Sequence, residues 1–95
     1  MKQDTPDEAY SLKVEEVFHL GDGTTVLVGS LQSGSPLFLA PSEVDMFIDD
    51  GHVGRISLVS ERMPGPGSKG RRAVETKSPI HANDIRGHRC LLVRR

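Results

Sequence analysis

The run from Val17 to Gly34 restricts this chain more than any other stretch, because two groups of strand-favouring residues flank Gly21-Asp22-Gly23. Glycine takes positive φ without steric penalty, so the tripeptide predicts a tight reversal between antiparallel strands. Upstream of it, Leu12 and Val14 alternate with polar residues, and Phe18 and Leu20 do so again, but Glu15-Glu16 break the phase between them. A β-bulge near the two acids reconciles the two registers and predicts one kinked strand. The return strand runs from Thr24 to Gln32, and Gly29 within it predicts a bend or a close backbone approach. Period-two alternation puts Val26 and Val28 on one face and Leu27 on the other, with Val26 taken as the residue that must stay uncharged.

Ninety-five residues suit one small domain, near the lower limit for a core without metals or disulfides. Residues 1–11 are polar, contain Pro6 and show no periodicity, so they read as a flexible N-terminal arm before a domain at 12–95. The single Cys90 offers no internal disulfide, no signal-peptide pattern follows Met1, and no apolar run approaches the roughly 20 residues of a membrane span. The expectation is a soluble protein of a reducing compartment, the cytoplasm, with no membrane association. Its net charge of −1 hides a polarity along the chain. Residues 1–61 hold three basic side chains against eleven acidic, and residues 62–95 nine basic against two. In a compact β fold the two halves interleave and neutralise each other; a segregated, partner-steering face is the alternative.

The remaining chain is read in the same terms. Ser33-Gly34-Ser35-Pro36 is a turn, and Leu37-Phe38-Leu39 an apolar patch stopped by Pro41. Residues 42–50 fit two patterns. Val44, Phe47 and Ile48 have helical spacing after a capping Ser42, whereas Val44, Met46 and Ile48 alternate as a strand entering Asp49-Asp50-Gly51. The strand is preferred, since two aspartates would face the negative end of the helix dipole. His52 to Glu61 forms a further strand with Ile56 and Leu58 on one face and Val59 on the other. Met63 to Arg72 is a mobile basic loop. Val74 points inward from a short strand at 73–77, 79–87 is a structured turn, and Cys90 to Val93 is the last strand. Short strands with Gly- and Pro-rich turns predict an all-β fold, a small six- to seven-stranded closed antiparallel β-barrel.

The order of these signals resembles the second domain of the translational GTPases, the β-barrel that follows the nucleotide-binding domain in elongation factor Tu. Val17-Phe18, Gly21-Asp22-Gly23, Thr24-Thr25-Val26-Leu27-Val28-Gly29 and Gly34 are similar to its first hairpin, and Asp84-Ile85-Arg86-Gly87 to its closing motif. The resemblance spans residues 12 to 93 and implies a translation-protein type of barrel that docks protein or RNA. It differs at Asp22, where the family often has a basic residue, and at Ser57, which aligns with a Glu that helps hold the 3′ end of aminoacyl-tRNA. Binding of the tRNA end is therefore not implied, nor is nucleotide hydrolysis, because the resemblance includes no GTPase domain.

Candidate chemistry is sparse. Gly65-Pro66-Gly67-Ser68-Lys69-Gly70-Arg71-Arg72 lacks the Gly-Lys-Ser/Thr and following helix of a phosphate loop, and reads as an inter-strand loop. His19, His52, His81 and His88 have no metal spacing; His88 and Cys90 supply only two ligands, so Cys90 is expected in the core and His88 in solvent. Glu15-Glu16 and Asp49-Asp50 are expected on opposite strand faces, where they cannot act as an acid–base pair. No nucleophile elbow is present, so the chain is read as non-enzymatic, with no cofactor and no metal. The only aromatics are Tyr10, Phe18, Phe38 and Phe47, three of them assigned to the core, which disfavours base stacking. What remains is a binding module for a protein partner, using the barrel surface and the basic 62–72 loop. Alternatively, RNA phosphates bind through Arg62, Lys69, Arg71, Arg72, Arg86 and Arg89, with Arg94 and Arg95 beside them.

Overall fold

The computed structural model describes residues 9–34, 39–62, 70–78 and 80–94. They form β1 (Tyr10–His19), β2 (Thr25–Ser33), β3 (Ser42–Ile48), β4 (Gly51–Arg62), β5 (Arg71–Thr76), the short helix α1 (Ala82–Ile85) and β6 (Cys90–Arg94). All strand pairs are antiparallel, and the order β1-β2-β5-β4-β3-β6 closes in a ring because β1 pairs with β2 on one side and β6 on the other. The all-β expectation is met with six strands among the described residues. Residues 42–48 are a strand, with Val44 and Met46 buried, and the hairpin to β4 turns through Asp49 and Asp50, both at positive φ. The Met63–Lys69 part of the expected basic loop lies outside the described residues.

The first hairpin shows how local chemistry sets the register. Leu20 N–H donates to Thr24 O (2.8 Å), Gly23 N–H returns to Leu20 O (3.2 Å), and Asp22 Oδ1 accepts from Thr24 N–H (3.0 Å). Gly23 occupies the positive-φ position (φ 87°) that ends this three-residue loop. Farther along, the β1–β2 register slips between Val14 and Glu16, so the bulge falls at Glu15. Opposite it, a Cβ on Gly29 would overlap the carbonyl oxygen of Lys13. The glycine is the close approach its position in the strand predicts.

One feature of this hairpin corrects the sequence reading. After the bulge it is Val17 that packs against the core, while Phe18 is 50% exposed and Leu20 38%. The bulge advances the inward face from Val14 to Val17, three residues on, instead of to Phe18. Leu27, fully buried opposite Val17, belongs to the interior cluster, and Val26, on the other face as the alternation requires, is buried outside that cluster. Of the four aromatics, three of them expected in the core, Tyr10 is buried, Phe47 half-buried and Phe18 outside, while Phe38 lies beyond the described residues.

Leu12, Val14, Leu27, Val44, Met46, Ile56, Leu58, Val74, Cys90 and Leu92 fill the ring, one inward residue alternating with one outward along each strand. One end is closed by Leu39, whose carbonyl accepts from Tyr10 Oη (3.1 Å) and Ser42 Oγ (2.6 Å). Tyr10 therefore belongs to the domain, and the expected arm boundary at residue 11 moves back to the start of β1. The other end is covered by Ile80 and Ile85 from the β5–β6 connection. Thr76 Oγ1 there donates to Ser57 O (2.7 Å), satisfying a hydroxyl that is completely buried.

Candidate functional site

The structure divides the six basic residues expected to bind a partner or RNA. Arg62 Nη1 lies 3.2 Å from Glu75 Oε2 across the β4–β5 pair. Arg71 bridges two acids, with Nε 3.0 Å from Glu15 Oε1 and Nη2 3.2 Å from Glu16 Oε2, and those bonds raise its pKa further. Arg72 Nε meets Glu61 Oε2 at 2.6 Å, with both side chains mostly out of solvent. Three residues of the set are thus held by carboxylates, each from the first two-thirds of the chain except Glu75. Interleaving of the acidic and basic halves, not a segregated charged face, is what the strand order produces here. Lys69 lies outside the described residues.

Each pairing follows from strand irregularity. The bulge at Glu15 lets two sequential glutamates reach one arginine, so the expectation that they must face apart does not hold. Ser30 Oγ, between them and β5, donates to Glu15 Oε2 (3.1 Å). A second irregularity, between Leu58 and Ser60, turns Val59 outward and pairs Glu61 with the inward Val74. Glu61 is thereby brought to the ring's end, where Oε1 also accepts the Leu39 N–H (2.9 Å). None of these partners is visible from spacing, since Glu15 and Arg71 are 56 residues apart.

Arg86 and Arg89 remain exposed in the segment between α1 and β6. That segment is anchored at its far side. Asp49 Oδ1 accepts the Arg89 N–H (3.0 Å), its other oxygen meets His88 Nδ1, and its own N–H donates to Arg89 O (2.9 Å). The bond from Arg89, then that from His88, holds the Asp49 carboxyl below the usual range. On the near side, the segment faces β1 across a groove of about 620 Å³ lined by Lys13, Val17, Phe18, Ile85, Arg86 and His88, among others. A second groove, lined by Met46, Ile48, Val53, Ile56 and Ile80 with Arg55 and Asp84, lies on the β4 side of the same connection.

Catalytic and metal chemistry find little to build on among the described residues. No three His, Cys, Asp or Glu side chains cluster there as metal ligands. Cys90 is fully buried, and burial pushes its thiol up to about 11, so it stays protonated at neutral pH. His88 is turned to Asp49, away from any shared site with Cys90. Among the described residues no helix is long and apolar enough to cross a membrane. The feature that sequence reasoning missed is the exposed Phe18, which lines the same groove as Arg86; the signal for it is the one-residue shift that a bulge at Glu15-Glu16 imposes on the residues after it. No protein-family model, curated protein or solved structure matches the chain.

Proposed function

We propose that this protein is a non-enzymatic binding module, built like the second domain of translational GTPases, that docks a protein partner through its outer surface. The observation that carries the reading is the fate of its cations. Arg62, Arg71 and Arg72 are bound to carboxylates, so these three are poorly suited to gripping phosphates, while Phe18 stands half exposed in the groove that Arg86 also lines. An apolar anchor with a charged rim is the composition of a protein-binding surface. The likeness to the translation-factor barrel is supported by the positions of its motif residues: Gly21-Asp22-Gly23 forms the first hairpin turn, and Ile85 of Asp84-Ile85-Arg86-Gly87 caps the core.

RNA binding is the second reading, favoured by Lys13, Arg86 and Arg89, which are exposed and make no ion pair among the described residues. Affinity capture from native cell extract, at low and high salt and with or without ribonuclease, separates the two. A protein retained at high salt after ribonuclease treatment supports the docking module. Recovered RNA that is lost as salt rises supports the alternative, because phosphate contacts release counterions.

A further inference from the structure

The ring of strands is incomplete along one line. β6 pairs with β1 only from Tyr10 to Val14, yet β1 continues to His19 on the β2 side. From Glu15 to His19, therefore, the other edge of β1 has no strand partner among the described residues, and the groove beside β1 lined by Arg86 lies along that edge. The hairpin geometry fixes which backbone groups point there. Leu20 donates to Thr24, so Leu20 and, two residues back, Phe18 direct their N–H and C=O toward β2. Val17 and His19 direct theirs the opposite way, Val17 into the groove and His19 just beyond its end, where it lines a separate pocket with Ile80 and His81. They offer donor–acceptor pairs roughly 7 Å apart, the two-residue repeat of an extended chain.

We infer that this open edge of β1 receives an extended acidic peptide segment of a partner protein, which adds a strand between β1 and the α1–β6 connection. The inference rests on the protein-docking reading above and names its site and the chemistry of its ligand. Backbone pairing to Val17 and His19 supplies the register, as in strand addition to other sheet edges. Lys13 and Arg86 supply the charge selection: both are exposed, both line the groove, and neither has a carboxylate partner among the described residues. Glu15 and Glu16 line the same groove and share the one guanidinium of Arg71, which offsets one of their two charges; Lys13 and Arg86 together outweigh the other. Phe18, half exposed on the outer face, packs against the alternate side chains of the added strand.

Amide exchange of the full chain, measured alone and with two capped hexapeptides, tests this. One peptide alternates glutamate with valine, and the other lysine with valine. In the free protein the Val17 and His19 amides should exchange at least about tenfold faster than that of Phe18, and the acidic peptide alone should slow both. His19→Pro should leave the fold intact, because the lost N–H faces the open edge, yet weaken peptide binding, whereas Phe18→Pro should break the β1–β2 ladder. Lys13→Glu with Arg86→Glu should reverse the peptide preference. Equal protection of Val17, His19 and Phe18 in the free chain overturns the proposal, as does no binding of the acidic peptide at millimolar concentration. Capture from extract separates this from the broader reading. A salt-resistant protein partner retained equally by Lys13→Glu/Arg86→Glu and His19→Pro leaves the docking module standing and removes the seam as its site. Capture of RNA alone removes the docking reading itself.

Discussion

The carbonyl oxygen of Lys13 lies where a β-carbon on Gly29 would stand. This contact is the counterpart of the bulge at Glu15: the extra residue in β1 bends the strand over β2, and only a residue without a side chain lets the two backbones approach so closely. The same bend carries both glutamates to Arg71 and exposes Phe18. Core packing, charge pairing and the candidate docking groove thus share one origin.

Gly29→Ala should accordingly destabilise the fold by about 1–3 kcal/mol, the usual range for forcing an atom into packed space. Gly21→Ala is the control, since nothing lies within 4 Å of its added β-carbon and it is not at positive φ. Urea unfolding of both variants makes the comparison. Equal midpoints would mean that β1 and β2 separate without loss, and that the close approach is not structural.

Leu27→Ala should lower stability by about 2–5 kcal/mol, as removal of a fully enclosed leucine does. Val26→Ala should cost less, because Val26 sits outside the interior cluster, between Phe18 on β1 and Glu75 on β5. Thermal melts of the pair would reveal a second core on the outer face if the two losses matched.

The Glu61–Arg72 pair predicts a coupling that a surface salt bridge would not show. Both side chains are largely shielded, and Glu61 also holds the Leu39 N–H at the end of the ring. Arg72→Met should destabilise by about 1–3 kcal/mol, the range for charged hydrogen bonds lost in shielded sites. Arg72→Met combined with Glu61→Gln should lose less than the sum of the single changes. Additive losses in the double-mutant cycle would assign Arg72 to solvent and return it to the set of free cations.

Stability should fall at alkaline pH, over a range that overlaps the titration of the lysines. Burial raises the Cys90 thiol from 9.0 to about 11 and also raises the Tyr10 hydroxyl. The folded chain thus keeps protons that the unfolded chain gives up. The contribution is complete below the unfolded value near 9 and is lost as pH rises toward 11. Asp49 acts with the opposite sign, since its folded pKa lies below 3.8; its contribution is present above that value and disappears in acid. Urea midpoints of wild type and Cys90→Ala from pH 7 to 11 read the first effect, and a parallel decline in both would place the loss on Tyr10 instead. Alkylation of Cys90 should likewise be slow in the folded chain and fast in urea, and equal rates would contradict its burial.

Much of the scaffold was legible from local chemistry. The Gly21-Asp22-Gly23 turn, the bulge at Glu15-Glu16 and the close approach at Gly29 all depend on residues near in sequence, whose backbone preferences act without tertiary help. The strand at 42–48 could be separated from a helix by the alternation of Val44, Met46 and Ile48 together with the two aspartates that follow. Phe18 was misplaced because it lies four residues from the inward Val14, in phase with it in an unbroken strand, and the one-residue bulge at Glu15 moves the inward face to Val17 instead.

What the sequence alone determined is therefore the class of fold, the reversals at Gly21-Asp22-Gly23 and Asp49-Asp50-Gly51 and the imbalance of charge between its two ends, since turn chemistry and alternation are properties of adjacent residues. Only the tertiary structure decided that Arg62, Arg71 and Arg72 are held by carboxylates, that Val17 and not Phe18 faces the core, and that β6 stops at Val14 and leaves an open edge. These depend on which strands become neighbours and in what register. The pairing of β1 with β6 joins residues about 80 positions apart, and spacing along a chain carries no record of such a meeting.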